Sequence, residues 1–196
     1  MKRQKDSIHQ SDFYLLPNLI TVSRVIAVPL IILLLYWDFN IGATITFVAV
    51  AISDGVDGYI ARRYQSESRL GVLLDPLADK LIIVCTMIML LWLGRLDVAG
   101  DERLLSLLGP VMVIVTVGRE IAVTGLRGIA SSVGLVVPAD RGGKIKTAIQ
   151  FVAISLLLLN WEQVLIWGQI LLGISVLAAL WSGFRYFVHF VKNLPA

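Results

Sequence analysis

Four aspartates, Asp54, Asp57, Asp75 and Asp79, fall within twenty-six residues, inside or beside two of the most apolar stretches of the chain. Burying an ionised acid at membrane depth is expensive, so an acid there marks a functional site by default. Carboxylate oxygens are the ligands of hard cations, and Mg²⁺ commonly completes its shell with substrate phosphate. The chemistry open to such a set is metal-assisted transfer of a phosphate group. Two ions a few ångströms apart can hold a pyrophosphate, offset its charge and stabilise a leaving phosphate.

Helical spacing makes the set more specific. Residues at i, i+3, i+4, i+7 and i+8 share one helix face, and from Asp54 these are Asp57, Gly58, Ala61 and Arg62. Gly71, Asp75 and Asp79 follow at i+4 steps on the next apolar segment. An antiparallel hairpin turning near residue 66 brings Asp54 level with Asp79, and Asp57 level with Asp75. The expected result is one cup of carboxylates, opened by Gly58, Ala61 and Gly71. Arg62 on the same stripe can bind a further phosphate oxygen. A fourth acid not fully committed to metal could deprotonate an attacking hydroxyl. The competing reading, salt bridges to Arg24, Arg62 or Lys80, leaves the aligned small residues unexplained.

The elements that must position these residues are apolar helices. The chain of 196 residues is 57% hydrophobic with mean hydropathy +0.82, above the roughly 45–50% of a soluble domain. The excess lies in blocks, which predicts an all-α polytopic membrane protein with six spans, about 19–37, 41–60, 72–93, 104–130, 145–159 and 164–190. Segment 1–16 reads as a tail or short interfacial helix, and 1–196 as one membrane domain. The first span is too long for a signal peptide and lacks a cleavage site. Of the 17 lysines and arginines, only Arg95 and Arg103 fall on or near the side opposite the termini. That side instead carries Asp38, Asp97, Asp101, Glu102 and Glu162. The positive-inside rule therefore expects both termini in the cytosol, with Trp37, Trp92, Trp161 and Trp167 in the far aromatic belt. Cys85 reads as a packing residue, and His9 and His189 as solvated or interfacial. Nothing in the chain points to nucleic acid.

The spacing Asp54-x2-Asp57-Gly58-x2-Ala61-Arg62-x8-Gly71-x3-Asp75-x3-Asp79 resembles, at every fixed position, the signature of the CDP-alcohol phosphotransferases. The resemblance implies a six-helix membrane enzyme, a homodimer, with two Mg²⁺ or Mn²⁺ ions at a site facing the cytosol. It implies transfer of a substituted phosphate from a CDP-linked donor to an alcohol, with release of CMP. By position, Asp54, Asp57 and Asp75 would be metal ligands, and Asp79 the general base and a further metal contact. Asn18, Thr21, Gly58, Ala61, Arg62, Ser68 and Gly71 would line the donor site, the donor being CDP-diacylglycerol.

Three further stretches are similar to the phosphatidylglycerophosphate synthases of bacteria: Leu16-Pro17-Asn18-Leu19-Ile20-Thr21-x2-Arg24, Gly118-Arg119-Glu120-Ile121-x3-Gly125-Leu126-Arg127, and Gly143-Lys144-Ile145-Lys146-Thr147. That likeness implies glycerol 3-phosphate as acceptor, phosphatidylglycerol phosphate as product, a role opening phosphatidylglycerol synthesis, and a place in the bacterial inner membrane. A basic cluster suits a phosphorylated acceptor, and Arg119, Arg127, Lys144 and Lys146 are its candidate ligands. Lys144, Lys146 and Arg127 also read as positive-inside anchors, and Arg24 as a nucleotide contact or a snorkelling side chain. Arg119 and Glu120 are neighbours that do not face each other on a helix, so a mutual salt bridge is not expected. Glu120 is left to orient some other base. Arg185, His189 and Lys192 read as surface charge near anionic lipid. Gly142-Gly143-Lys144 lacks the earlier glycine and strand of a Walker loop. A synthase acting on inositol phosphate, serine or another phospholipid is the alternative within the class. A cation transporter, which would place its acids near the midplane, is the alternative outside it.

Overall fold

The computed structural model describes residues 16–64, 69–97, 106–132 and 141–193, with side chains described at 23–53, 78, 80–97, 106–132, 143 and 145–193. Segment 1–15 with His9, Ser68, and the loop bearing Asp101, Glu102 and Arg103 lie outside the described residues. The described residues form six α-helices and no strand: α1 (Leu16–Tyr36), α2 (Asn40–Tyr64), α3 (Arg69–Trp92), α4 (Leu108–Ser132), α5 (Arg141–Leu159) and α6 (Glu162–Lys192).

Local chemistry sets the ends. Pro17 and Pro110 stand in the first turns of α1 and α4, where a missing N–H has no intrahelical partner to lose. Three residues join α1 to α2 and two join α5 to α6, with Asp38 and Asn160 at φ 55°. Asp, Asn and Gly tolerate this left-handed conformation best. After α1, Phe39 N donates to Leu34 O and Asp38 N to Leu35 O. Arg95 N and Gly94 N repeat the pattern after α3, with Gly94 at φ 70°. Both are Schellman closures that satisfy the last carbonyls.

The helices pack in a ring, α1 beside α2, then α5, α6, α4, α3 and back to α1, with α3 also meeting α5 across the centre. Ile31, Leu35, Phe47, Ile82, Met87, Leu90, Ile154 and Leu158 fill the interior. Phe47 and Phe151 tilt against each other with centroids 5.3 Å apart. Gly168 lets α6 approach α5, since a Cβ there would lie 2.8 Å from Leu157 Cγ and 3.2 Å from the Ala153 carbonyl. Small residues at such crossings are how helices pack in lipid, where burial from water does not drive association.

Two helices, Leu108–Ser132 and Glu162–Lys192, are long and apolar enough to cross a bilayer; the described apolar parts of the others are shorter. The outward faces are apolar, with Ile45, Ile52, Ile114, Ile121, Leu177 and Phe184 exposed, as suits lipid rather than water. Trp37, Trp92 and Trp161 lie exposed at one end of the ring, and Trp167 near it. Cys85 is half-buried, and Arg185, His189 and Lys192 are exposed.

Helix boundaries differ most from the expected spans in three places. α2 runs on to Tyr64, α5 starts at Arg141, and α4 starts at Leu108 rather than near 104. Hydropathy marks where lipid begins, whereas a helix continues into polar sequence until its hydrogen bonding is broken. The segment from Gly142 to Lys146 is consequently the first turns of a helix, not a loop before one.

Candidate active site

The acid-bearing segments are continuous helix. Asp54, Asp57, Gly58, Ala61 and Arg62 lie on α2, and Gly71, Asp75 and Asp79 on α3, the helices on either side of residues 65–68. Asn18 and Thr21 sit in the first turns of α1, which packs on both α2 and α3. Alternating helix direction puts the start of α1, the end of α2 and the start of α3 at one end of the ring. The side chains of these residues, and that of Lys144 in the first turn of α5, are outside the described set. Among the described residues no three of His, Cys, Asp and Glu come together as a metal site. Four aspartates in this helical register are the oxygen-only donor chemistry that hard divalent cations take.

Side chains are described a little deeper, where α3, α4, α5 and α6 converge. Glu120 on α4 is the hub. Its Oε1 accepts from Lys146 Nζ of α5 at 2.5 Å and from Arg119 Nη1 at 2.8 Å. Arg119 also donates from Nε to the Ala179 carbonyl at 3.3 Å and from Nη2 to Ser182 Oγ at 3.1 Å, both on α6. Space for this comes from α6, where a Cβ on Gly183 would already touch Arg119 Cγ at 3.5 Å. Lys80, which follows Asp79 on α3, donates to Thr124 Oγ1 of α4. Thr124 Oγ1 in turn donates to the Glu120 carbonyl at 2.6 Å. One turn deeper, Thr116 Oγ1 and Gln150 Oε1 are buried without a hydrogen-bond partner among the described residues. Gln150 Nε2 reaches Met87 Sδ at 3.5 Å.

Two expectations change. Arg119 and Glu120 do form an ion pair, although successive helix residues point about 100° apart. Both side chains are long and α4 turns this edge toward α5 and α6, so the guanidinium folds round while α6 fixes its other nitrogens. Arg24 is buried, at 2% exposure, and so does not snorkel. The acceptor candidates also separate. Arg119 and Lys146 come together through Glu120, whereas Arg127 lies exposed, its Cζ 5.6 Å from the Tyr186 ring centroid. Thr124 and Ser182 were not apparent from sequence, and Lys80 was named there only as a salt-bridge partner for the acids. The available signals were that Lys80 follows an acid of the signature and that Thr124 stands one turn from Glu120.

At the opposite end, Arg95 is 4% exposed. It donates to the carbonyls of Leu157 and Leu158 at 3.3 and 3.0 Å and to Asn40 Oδ1 at 2.6 Å. Gln169 Nε2 closes the turn on the carbonyls of Arg95 and Asp97. Burial pushes the guanidinium's pKa down and Asp38 opposes this, but an arginine stays charged throughout.

A family model described as CDP-alcohol phosphatidyltransferase matches residues 14–181. The chain is 34% identical over 180 residues to the CDP-diacylglycerol–glycerol-3-phosphate 3-phosphatidyltransferase of Rickettsia typhi, covering 88% of this chain and 94% of that one. It is 35% identical over 191 residues to the protein of that name from Bacillus subtilis, covering 88% and 93%. With the second such protein of Arabidopsis thaliana it shares 38% over 184 residues, covering 85% and 76%.

Proposed function

The chain belongs to the CDP-alcohol phosphatidyltransferase family, and from that membership we propose that it transfers the phosphatidyl group of CDP-diacylglycerol to glycerol 3-phosphate. The products are phosphatidylglycerol phosphate and CMP. Relatives bearing that activity in their names match most of the chain at 34–38% identity, and this observation carries the reading. The convergence of Arg119 and Lys146 on helices adjoining α3 is what a phosphorylated acceptor calls for.

We read the chain as one membrane domain, 1–196, crossing the bacterial inner membrane six times as a homodimer, with the termini and the site on the cytosolic side. CDP-diacylglycerol enters laterally from lipid, with its nucleotide against Asn18, Thr21, Gly58, Ala61, Arg62, Ser68 and Gly71. Asp54, Asp57, Asp75 and Asp79 would hold two Mg²⁺ or Mn²⁺ ions, which when bound supply Lewis-acid polarisation and charge neutralisation at the pyrophosphate. Arg119, Arg127, Lys144 and Lys146 hold the acceptor's phosphate. Asp79 takes the proton of the acceptor's primary hydroxyl as its oxygen attacks the β-phosphorus in line. The phosphoanhydride bond breaks, and CMP leaves with Arg62 offsetting its charge.

The test is CMP release by the purified chain given CDP-diacylglycerol, Mg²⁺ or Mn²⁺, and a panel of acceptors. Glycerol 3-phosphate is expected to support turnover that a chelator abolishes. Turnover with serine, inositol phosphate or phosphatidylglycerol in its place would overturn the acceptor assignment.

A further inference from the structure

We propose that Glu120 is a positioning residue that clamps Arg119 and Lys146 into a single two-pronged receptor for the acceptor's phosphate. The inference rests on the reading above and names the residue that makes its basic pocket work. Arg119 is on α4 and Lys146 on α5, and these helices do not pack extensively on each other, each instead leaning on α3 and α6. Glu120 Oε1 is what joins the two cations, with bonds of 2.5 and 2.8 Å to one oxygen. Two donors held on one atom lie within roughly 5 Å of each other, close enough to grip neighbouring oxygens of one phosphate as an arginine fork does.

Among the described residues the donors are not used up. A guanidinium has five N–H groups and an ammonium three; the described bonds take three on Arg119 and one on Lys146. Ala179 and Ser182 fix the plane of the guanidinium from behind, so only its orientation toward Lys146 is left for Glu120 to set. A purely structural pair would balance its charge, because a buried surplus charge is costly. Among the described residues two cations share one carboxylate, with Lys146 only 4% exposed and Lys80 anchored close by on Thr124. A dianionic phosphate monoester would offset that local positive charge, which a neutral alcohol cannot.

The experiment compares the purified full-length chain with Glu120→Gln, which keeps the shape and removes the charge. A misplacement of about 1 Å can cost about a hundredfold, so the expected result is an acceptor KM raised about ten- to a hundredfold with the CDP-diacylglycerol KM unchanged. An unchanged acceptor KM, or equal rises for both substrates, would overturn the clamp. The double variant Glu120→Gln with Lys146→Met removes both members of the buried pair, so it does not depend on the single variant folding. Its acceptor KM should rise by less than the product of the two single effects, because Glu120 acts in part through that lysine and in part through Arg119; fully additive losses would sink the proposal. If wild type shows no turnover with glycerol 3-phosphate, the proposed acceptor has failed, and inorganic phosphate then reads the clamp separately. Phosphate should raise the unfolding midpoint of wild type and not of Glu120→Gln; equal shifts would refute the clamp.

Discussion

Arg95 and Arg119 both lie inside the bundle near opposite ends, and their partners differ in kind. Arg95 gives its donors to the last carbonyls of α5 and to Asn40 at the start of α2. α5 has no basic residue in its own last turn, so Arg95 supplies from another segment the cation that a helix C-terminus favours. Its hydrogen-bond partners are neutral, two backbone carbonyls and one amide side chain, and Asp38 lies near enough to favour its charge. Arg119 instead shares one carboxylate with Lys146, leaving positive charge in excess among the described residues. A buried polar group that closes on backbone builds the fold, whereas one left with surplus charge awaits a ligand. On the proposed function, the two ends divide stability from catalysis.

If that division holds, the largest effect comes from Asp79→Asn at the acid end. A general base contributes about 10²–10⁴-fold, so CMP release should fall by about a thousandfold while divalent metal still raises the unfolding midpoint. Activity within tenfold of wild type would remove Asp79 from its role. The opposite end should answer in the opposite currency. Arg95→Leu orphans two helix-end carbonyls and Asn40, and a buried unsatisfied group costs about 1–3 kcal/mol. Unfolding in detergent should therefore ease by about 3 kcal/mol, with kcat and both KM values of the remaining folded protein unchanged. A turnover defect at full stability would mean that Arg95 belongs with Arg119.

The sequence disclosed these ends unequally. Six apolar blocks foretold six helices, because an apolar run and a helix in lipid have the same cause. The run from Asp54 to Asp79 was legible as a family signature because its spacing lies along two successive helices, α2 and α3, where helical period fixes neighbours. Glu120 with Lys146 was not, since the two are 26 residues apart on helices that do not pack extensively on each other. Arg95 was visible merely as a charge on the wrong side, because nothing in its own neighbourhood names Leu157 and Leu158. Helix ends were misjudged at Tyr64 and Arg141, where polar sequence continues a helix that hydropathy stops counting.

The smallest effect tests the backbone of the structural end alone. Asn160 holds φ 55° in the two-residue link between α5 and α6, directly after the carbonyls that Arg95 caps. Left-handed backbone costs an ordinary L-residue roughly 1–2 kcal/mol, with Asn relieved in part and Gly wholly. Asn160→Gly should thus leave stability within about 0.5 kcal/mol, because Gly gains freedom in the unfolded chain as it sheds strain in the folded one. Asn160→Val should cost about 1–2 kcal/mol, having the strain without the relief. Neither should move the acceptor KM, since the turn lies at the end away from Arg119 and Lys146. Equal unfolding midpoints for the Gly and Val variants would show that this turn is not held left-handed. A change in acceptor KM would show that the two ends are coupled through α5, the helix whose last turn Arg95 holds and whose first turns carry Lys146.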